Sequence, residues 1–237
     1  MPSPFLTAEW RWLAMLNYEV DPVVLQPFVP AGTELDPREG KTHVSVVGFH
    51  FRYARIRGLV IPFHRHFEEV NLRFYVRRKI GREIRRGVVF IKELVPRRAI
   101  AWTARLFYNE NYIAVPMSHR INKYGMERRA TYEWKFAGQH EHLDLRTDGQ
   151  PLLPDEDSFE AFITEHYWGY VRQRNGSTLE YQVEHPRWRV WTAREAQLQC
   201  DAGALYGKAF APFLNAAPAS AFLAEGSAVK VYSGRRI

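Results

Sequence analysis

Alternate residues from Glu69 to Val76 belong to two chemical sets. Val70, Leu72, Phe74 and Val76 are apolar, whereas Glu69, Asn71, Arg73 and Tyr75 are charged or polar. A period of two marks an extended strand, whose side chains leave opposite faces of a sheet. The partner strand follows at once. Gly81-Arg82 puts glycine at the first central position of a two-residue type II′ turn. With that turn, Tyr75 faces Val88, Arg73 faces Phe90 and Asn71 faces Lys92. The result is a hairpin with an apolar face (Val70, Leu72, Phe74, Val89, Ile91) and a mixed one (Glu69, Asn71, Arg73, Tyr75, Val88, Phe90, Lys92, Leu94).

A solvated face carries fewer aliphatic and aromatic residues than this mixed one does. The mixture reads as the wall of an internal, polar-lined pocket. The alternative is a half-exposed face on which Glu69 and Lys92 form a surface pair. In a pocket, Arg73 would grip a carboxylate or phosphate through two parallel hydrogen bonds. Lys92 in an apolar cavity near Arg73 would have its ammonium form disfavoured, and a neutral amine attacks carbonyls. Glu69 would either shuttle protons or neutralise Lys92.

The remaining chain is also rich in strand patterns. Strands are expected at 10–19, at 41–56 with Gly48 as a bulge, and at 112–122, 126–137 and 140–147. Others are expected at 169–174, 177–185, 188–200 and 228–233. Asn175-Gly176 supplies a hairpin turn. Short helices are expected from Asp21-Pro22 to about residue 28, at 97–109, from Asp157 to about residue 167, and at 202–214 and 220–223. No repeat or linker interrupts the pattern. The expectation is one α+β, β-rich domain over residues 1–237, built mostly from antiparallel strands.

Composition limits the partners. Hydrophobic residues make up 46% of the 237 and aromatics 14%, enough for a substantial core. The single cysteine, Cys200, permits no internal disulfide and is expected to be a small buried hydrophobe. No apolar run approaches the ~20 residues that span a bilayer, and the start lacks a leader pattern. A cytoplasmic protein with no membrane partner is expected. The net charge is +7, and arginine supplies 26 of the 33 basic residues. The densest basic run, residues 77–86, falls at the hairpin end and reads as a solvated tip, so nucleic acid is not the expected partner. A small anionic or carbonyl-bearing ligand fits the charge better.

Other polar groups carry weaker signals. His64-Arg65-His66 precedes Glu68-Glu69, but nothing fixes a third metal ligand, so no metal is expected. His66 would rim the pocket or cap a loop. Tyr108 to Asn111, with Glu110 among them, would be either a helix end or a second polar patch delivered by a loop. Ser118 and His119 are neighbours that point apart in a strand and form no dyad. No glycine-rich phosphate loop occurs, and no cofactor is expected.

The segments FEEVNLRFYVRR (67–78), RRGVVFIKELVPR (85–97) and ARLFYNENYIAVPM (104–117) resemble the YqjF-like family, DUF2071. So do NYEVDPVVLQPFVPAGTELD, THVSVVGFHF and the turn from His185-Pro186 to Trp188. The resemblance implies an acetoacetate decarboxylase-like fold: a cone-like antiparallel β-barrel or sandwich with flanking helices and an internal cavity. Glu69 matches a cavity glutamate of the decarboxylases. Those enzymes form an imine through a lysine in a Gly-aromatic-Pro-Lys-Lys pattern. The matching stretch here is Ala114-Val115-Pro116-Met117-Ser118, and methionine forms no imine. The decarboxylases are oligomers, so a homo-oligomer is implied, with no interface fixed by the sequence.

The resulting expectation is a small-molecule-binding protein or a non-Schiff-base enzyme. Glu69 and Lys92 are its catalytic candidates. Asn71, Arg73, Tyr75, Phe90, Glu110, Met117 and His66 are its ligand-binding candidates. A lyase or aldolase-like enzyme using Lys92 is the alternative. A structural or interaction protein with a self-filled interior is a third.

Overall fold

The computed structural model describes residues 3–60, 65–97 and 111–237. It opens on strand β1 (Leu6–Val20), followed by the one-turn helix α1 (Pro22–Leu25). Asp21 caps that helix by accepting a hydrogen bond from the Val23 amide at 2.9 Å, and Pro22 takes the first helical position. Next come β2 (Glu34–Leu35), β3 (Thr42–Ile56), β4 (Leu59–Val60), β5 (Phe67–Ile80) and β6 (Glu83–Val95). Ile80 pairs with Glu83, so Gly81-Arg82 is the two-residue turn expected, with Gly81 at φ +59°. Residues 98–109 of the expected helix, and Glu110, lie outside the described residues.

Downstream are β7 (Tyr112–Ala114), β8 (Met117–Tyr124), β9 (Glu127–Phe136) and β10 (Gln139–Thr147). Pro116, which cannot donate to a ladder, separates β7 from β8. Helix α2 (Phe159–Thr164) begins where the Ser158 hydroxyl accepts from the Ala161 amide at 3.1 Å. Then follow β11 (Trp168–Arg172), β12 (Thr178–Glu184), β13 (Val190–Gln199), α3 (Ala202–Tyr206), α4 (Ala211–Leu214), β14 (Ser220–Val231) and β15 (Arg235–Arg236). Residues 220–223 are strand rather than helix. Ser220 pairs with Asn17 and Phe222 with Met15, and this pairing overrides the local helix preference.

The closed cone-like β-barrel implied by the family resemblance is not what forms. The hydrogen-bonded path runs β15-β12-β11-β6-β5-β3-β1-β14-β13-β10-β9-β8 and stays open, because its terminal strands do not pair with each other. The contact between β12 and β14 covers only Val183↔Val231 and Glu184↔Lys230. The reason lies in β13. Its first residues, Val190 to Thr192, pair with β14, whereas Ala193 to Gln199 pair with β10. A strand that changes partners in this way turns a corner. It carries β8, β9 and β10 away from the main sheet and back across it. The result is a mixed, β-rich α+β fold. Among the described residues no helix is long and apolar enough to cross a membrane.

Two cores result, one on each face of the strands β1, β3, β5 and β6. On the first face, Val44, Val46, Leu72 and Phe74 meet Tyr132, Trp134, Leu143 and Leu145 from the returning strands. Gly48 belongs to this contact and is not a bulge, since a Cβ there would lie 2.6 Å from the Tyr132 ring. The irregularities lie elsewhere: β1 bulges between Arg11 and Ala14, with Trp12 at φ +58°, and β3 bulges at Tyr53–Ala54 opposite Ala8, with Tyr53 at φ +54°. On the second face, Met15, Val47, Phe49, Tyr75 and Val88 pack with Phe162, Ile163 and Trp188.

The β1 bulge sits against Gly226, which has φ +78° and would bring a Cβ to 2.0 Å from the Trp10 carbonyl oxygen. Gly226→Ala is expected to cost about 3 kcal/mol or more, roughly 10 °C of melting temperature at this size. Gly32→Ala shares the positive φ but meets nothing within 4 Å, and is expected to cost only about 1 kcal/mol. Calorimetry giving equal losses would show that the close approach is unimportant.

Candidate functional site

The second face collects the polar groups of β5. Glu69, Asn71 and Tyr75 are all buried, and Arg73 is half-buried among them. Tyr75 pairs with Val88 and Arg73 with Phe90, as the sequence leads one to expect. Beyond Arg73 the register slips. Leu72 pairs with Lys92 and Asn71 with Glu93, because β6 bulges at Ile91. The expected pairing of Asn71 with Lys92 is therefore corrected. Lys92 leaves on the first face, where its ammonium donates to the Leu205 carbonyl of α3. Burial lowers its pKa. Leu94 also belongs to the first core. Glu93, buried, takes the place expected for Lys92.

Arg73 is the unusual member of this face. Its Nε is buried with no hydrogen-bond partner. Its Nη2 reaches only the Met15 sulfur, at 3.9 Å, and the guanidinium carbon lies 5.9 Å from the centre of the Tyr75 ring. Among the described residues no carboxylate comes within ion-pair range. Glu69 is four residues along the strand, about 13 Å of extended chain. It is occupied by Asn71 Nδ2 at 2.9 Å and by the Tyr112 hydroxyl at 3.3 Å. Asn71 Oδ1 is buried and unpartnered. Desolvating a guanidinium without a partner costs several kcal/mol. A fold keeps such a group only where something else compensates for it.

The same face holds a second polar network. The Tyr75 hydroxyl donates to Ser45, Ser45 donates to Asn17 Oδ1 at 2.6 Å, and Asn17 Nδ2 donates to Ser220 at 3.0 Å. The Tyr75 ring is covered by His166, centroid to centroid 4.7 Å. Nε2 of His166 meets Asp36 at 3.3 Å, and Asp36 also accepts from Arg86 at 2.7 Å. Asn17, Ser45, Asp36, Glu93 and His166 escaped the sequence reading. Asn17 and Ser45 stand at alternating positions of apolar strands and were legible as polar interruptions. Asp36 and His166 are 130 residues apart and give no local signal.

Two other candidates, His66 and Met117, lie apart from Arg73. His66 is exposed, 6.3 Å from the His50 ring. Met117 packs on the first core. Glu110 is outside the described residues. His50 stacks near His119, centroids 4.2 Å apart, and His119 Nδ1 meets Glu68 at 2.7 Å. Burial and the neighbouring His119 push the pKa of His50 down to about 4. Among the described residues no group of three or more histidine, cysteine or carboxylate side chains is arranged to hold a metal ion. Burial raises the pKa of the Cys200 thiol to about 12, leaving it unreactive at neutral pH.

The basic hairpin end is not a free cationic tip. Arg77 and Lys79 meet Glu34, Arg78 and Arg85 meet Glu180, and Arg86 meets Asp36. These pairs neutralise part of the charge of the hairpin end.

A family model described as an uncharacterized conserved protein, DUF2071, matches residues 7–228. The chain belongs to the DUF2071 family. Within that family, YqjF of Bacillus subtilis (strain 168), itself described as uncharacterized, is 29% identical over 195 residues, covering 80% of this chain and 75% of its own. Solved structures show the same fold in acetoacetate decarboxylase and related enzymes. Acetoacetate decarboxylase from Legionella pneumophila aligns over 100% of this chain and 88% of its own, with TM-score 0.67 and 14% identity. The enduracididine biosynthesis enzyme MppR, complexed with pyruvate, aligns over 100% and 91% with TM-score 0.68 and 14% identity. An acetoacetate decarboxylase-like enzyme from Sphingomonas wittichii RW1 covers 99% and 94% with TM-score 0.65 and 12% identity. At these identities the likeness is one of fold, and this DUF2071 member must be read from its own side chains.

Proposed function

We propose that the second face of the β1-β3-β5-β6 sheet binds a small carboxylate-bearing molecule, and that the protein works as a binding protein or enzyme without a lysine imine. The observation that carries this reading is the Arg73 guanidinium, which lies beside Met15, Tyr75 and Phe90 and meets no anion among the described residues. A carboxylate would satisfy its donors in a parallel, two-bond arrangement. Asn71 and Glu69 lie along the same strand and would contact the ligand's uncharged end. A structure of the same fold holds pyruvate, a small carboxylate.

The lysine-dependent alternative loses its geometry. Lys92 sits on the opposite face, against α3, and shares no surface with Arg73. By the family resemblance, Met117 and Ser118 fall where the decarboxylase pattern has its lysines. A self-filled interior would be expected to supply Arg73 with a glutamate or aspartate, and none reaches it among the described residues.

A thermal-shift panel tests the proposal. Acetate, propionate and pyruvate at millimolar concentration are expected to raise the melting temperature, and the corresponding amides are not. Borohydride added with pyruvate is expected to leave Lys92 unmodified by mass spectrometry. A reduced adduct on Lys92 would restore the lysine-dependent reading. No shift with any acid would remove the anion site.

A further inference from the structure

Asp36 and His166 face the proposed anion site and have no part in binding the carboxylate itself. Asp36 is 3% exposed and His166 is 7% exposed. The Asp36 carboxylate is fixed from three directions: Arg86 at 2.7 Å, His166 at 3.3 Å and Arg77 at 3.9 Å. A carboxylate only accepts, so Nε2 of His166 must carry the hydrogen that points at Asp36. In the neutral ring this leaves Nδ1 as a bare lone pair. That atom is shut off from solvent and has no hydrogen-bond partner. The Tyr75 ring, which also neighbours Phe162 and the Arg73 guanidinium, lies against the imidazole. Phe162 meets the imidazole edge-on at 5.2 Å, beside Tyr75. The Tyr75 hydroxyl is spent on Ser45 and cannot serve Nδ1. Burial favours the neutral ring, and so do the charges of Arg86 and Arg73, whereas Asp36 opposes them; the net pKa shift is downward.

A buried acceptor without a donor costs free energy that a ligand can return. Arg73 supplies donors only and His166 Nδ1 accepts only, and both lie beside one aromatic ring. We propose that the ligand is a small hydroxy acid, with its carboxylate on Arg73 and its hydroxyl donating to Nδ1 of His166. Asp36 acts as a positioning residue that fixes the tautomer. This inference rests on the anion-site reading of Arg73. It adds the discrimination of a hydroxy acid from the oxo acid of the same skeleton, because a ketone oxygen has no hydrogen to offer Nδ1.

The test compares lactate with propionate and pyruvate, and 3-hydroxybutyrate with butyrate and acetoacetate, by calorimetric titration. At least one hydroxy acid is expected to bind about tenfold tighter than its two counterparts. His166→Phe is expected to bring the three affinities together while propionate and butyrate bind as before. In the wild-type protein, the 15N resonance of His166 Nδ1 is expected at the unprotonated position and to move with the preferred hydroxy acid but not with its deoxy counterpart. That measurement stands if the variant fails to fold. Binding of all acids with equal affinity would overturn the hydroxyl assignment and leave the anion site intact. So would a His166 resonance indifferent to the hydroxyl. Binding of none of the six acids would overturn the anion site and this inference with it.

Discussion

Arg73→Met is expected to make the unliganded protein more stable while abolishing its affinity for small acids. The two effects have one cause. The guanidinium has its Nε buried without a partner and its nearest polar contact is a thioether. Folding therefore pays for partial desolvation and receives no ion pair from the described residues in return. Methionine fills similar volume beside Met15 and Phe90 with no charge to desolvate. Replacing buried ionic groups by apolar ones of like size has stabilised other proteins by about 1–4 kcal/mol. A gain of about 1–3 kcal/mol is expected here, a rise of several degrees in melting temperature. Binding of propionate or lactate should weaken by about a hundredfold or more, as for loss of a buried charge-assisted pair. Calorimetry and titration on the same samples separate the outcomes. A variant that is less stable and still binds acids would mean that Arg73 is a structural residue.

The largest loss of stability is expected at Glu180. Its side chain is 0% exposed, yet it is ionised and collects Arg78 at 2.8 Å, Arg85 at 2.9 Å and Arg235 at 2.8 Å, with the Tyr170 hydroxyl at 3.3 Å. It ties the β5-β6 hairpin to β12 and to the chain's C-terminal strand. Removing one partner of a buried charge cluster strands the others. Glu180→Ala should therefore cost about 3–5 kcal/mol, roughly 10–15 °C. Burial pushes the Glu180 pKa up, but the hydrogen bonds from Arg78 and Arg235, with the positive charges around it, outweigh this and lower it. A depressed carboxyl stabilises the fold above its unfolded pKa, near 4.5. That contribution is lost as pH falls through the lower folded value. Wild-type stability should thus fall faster with acidity below about pH 4.5 than that of Glu180→Ala. Parallel acid titration curves for the two proteins would contradict the assignment.

The sequence was legible where physics is local. Alternation on β5, the Gly81-Arg82 turn and the Asp21 cap each depend on a few neighbouring residues, and each formed as expected. The burial of Glu69, Asn71 and Tyr75 on one face followed from their spacing. The position of Lys92 did not. Its face was decided by one additional residue at Ile91, and an isoleucine carries no bulge signal. The open sheet had the same origin, since β13 changes partner between Thr192 and Ala193 without a glycine or proline to mark the corner. The basic run at the hairpin end read as solvated because its partners, Glu34, Asp36 and Glu180, are distant in sequence. The Asp36–His166 pair was invisible for that reason too.

The central claim is that a carboxylate sits on Arg73, on the inward face of the β5-β6 hairpin. The most direct measurement is the anomalous signal of bromine in a crystal soaked with 3-bromopropionate. The account predicts a bromine peak beside Phe90 and Tyr75, with the carboxylate paired to the Arg73 guanidinium. Bromine found only along exposed arginines such as Arg82, with the Arg73 face unchanged, would contradict it.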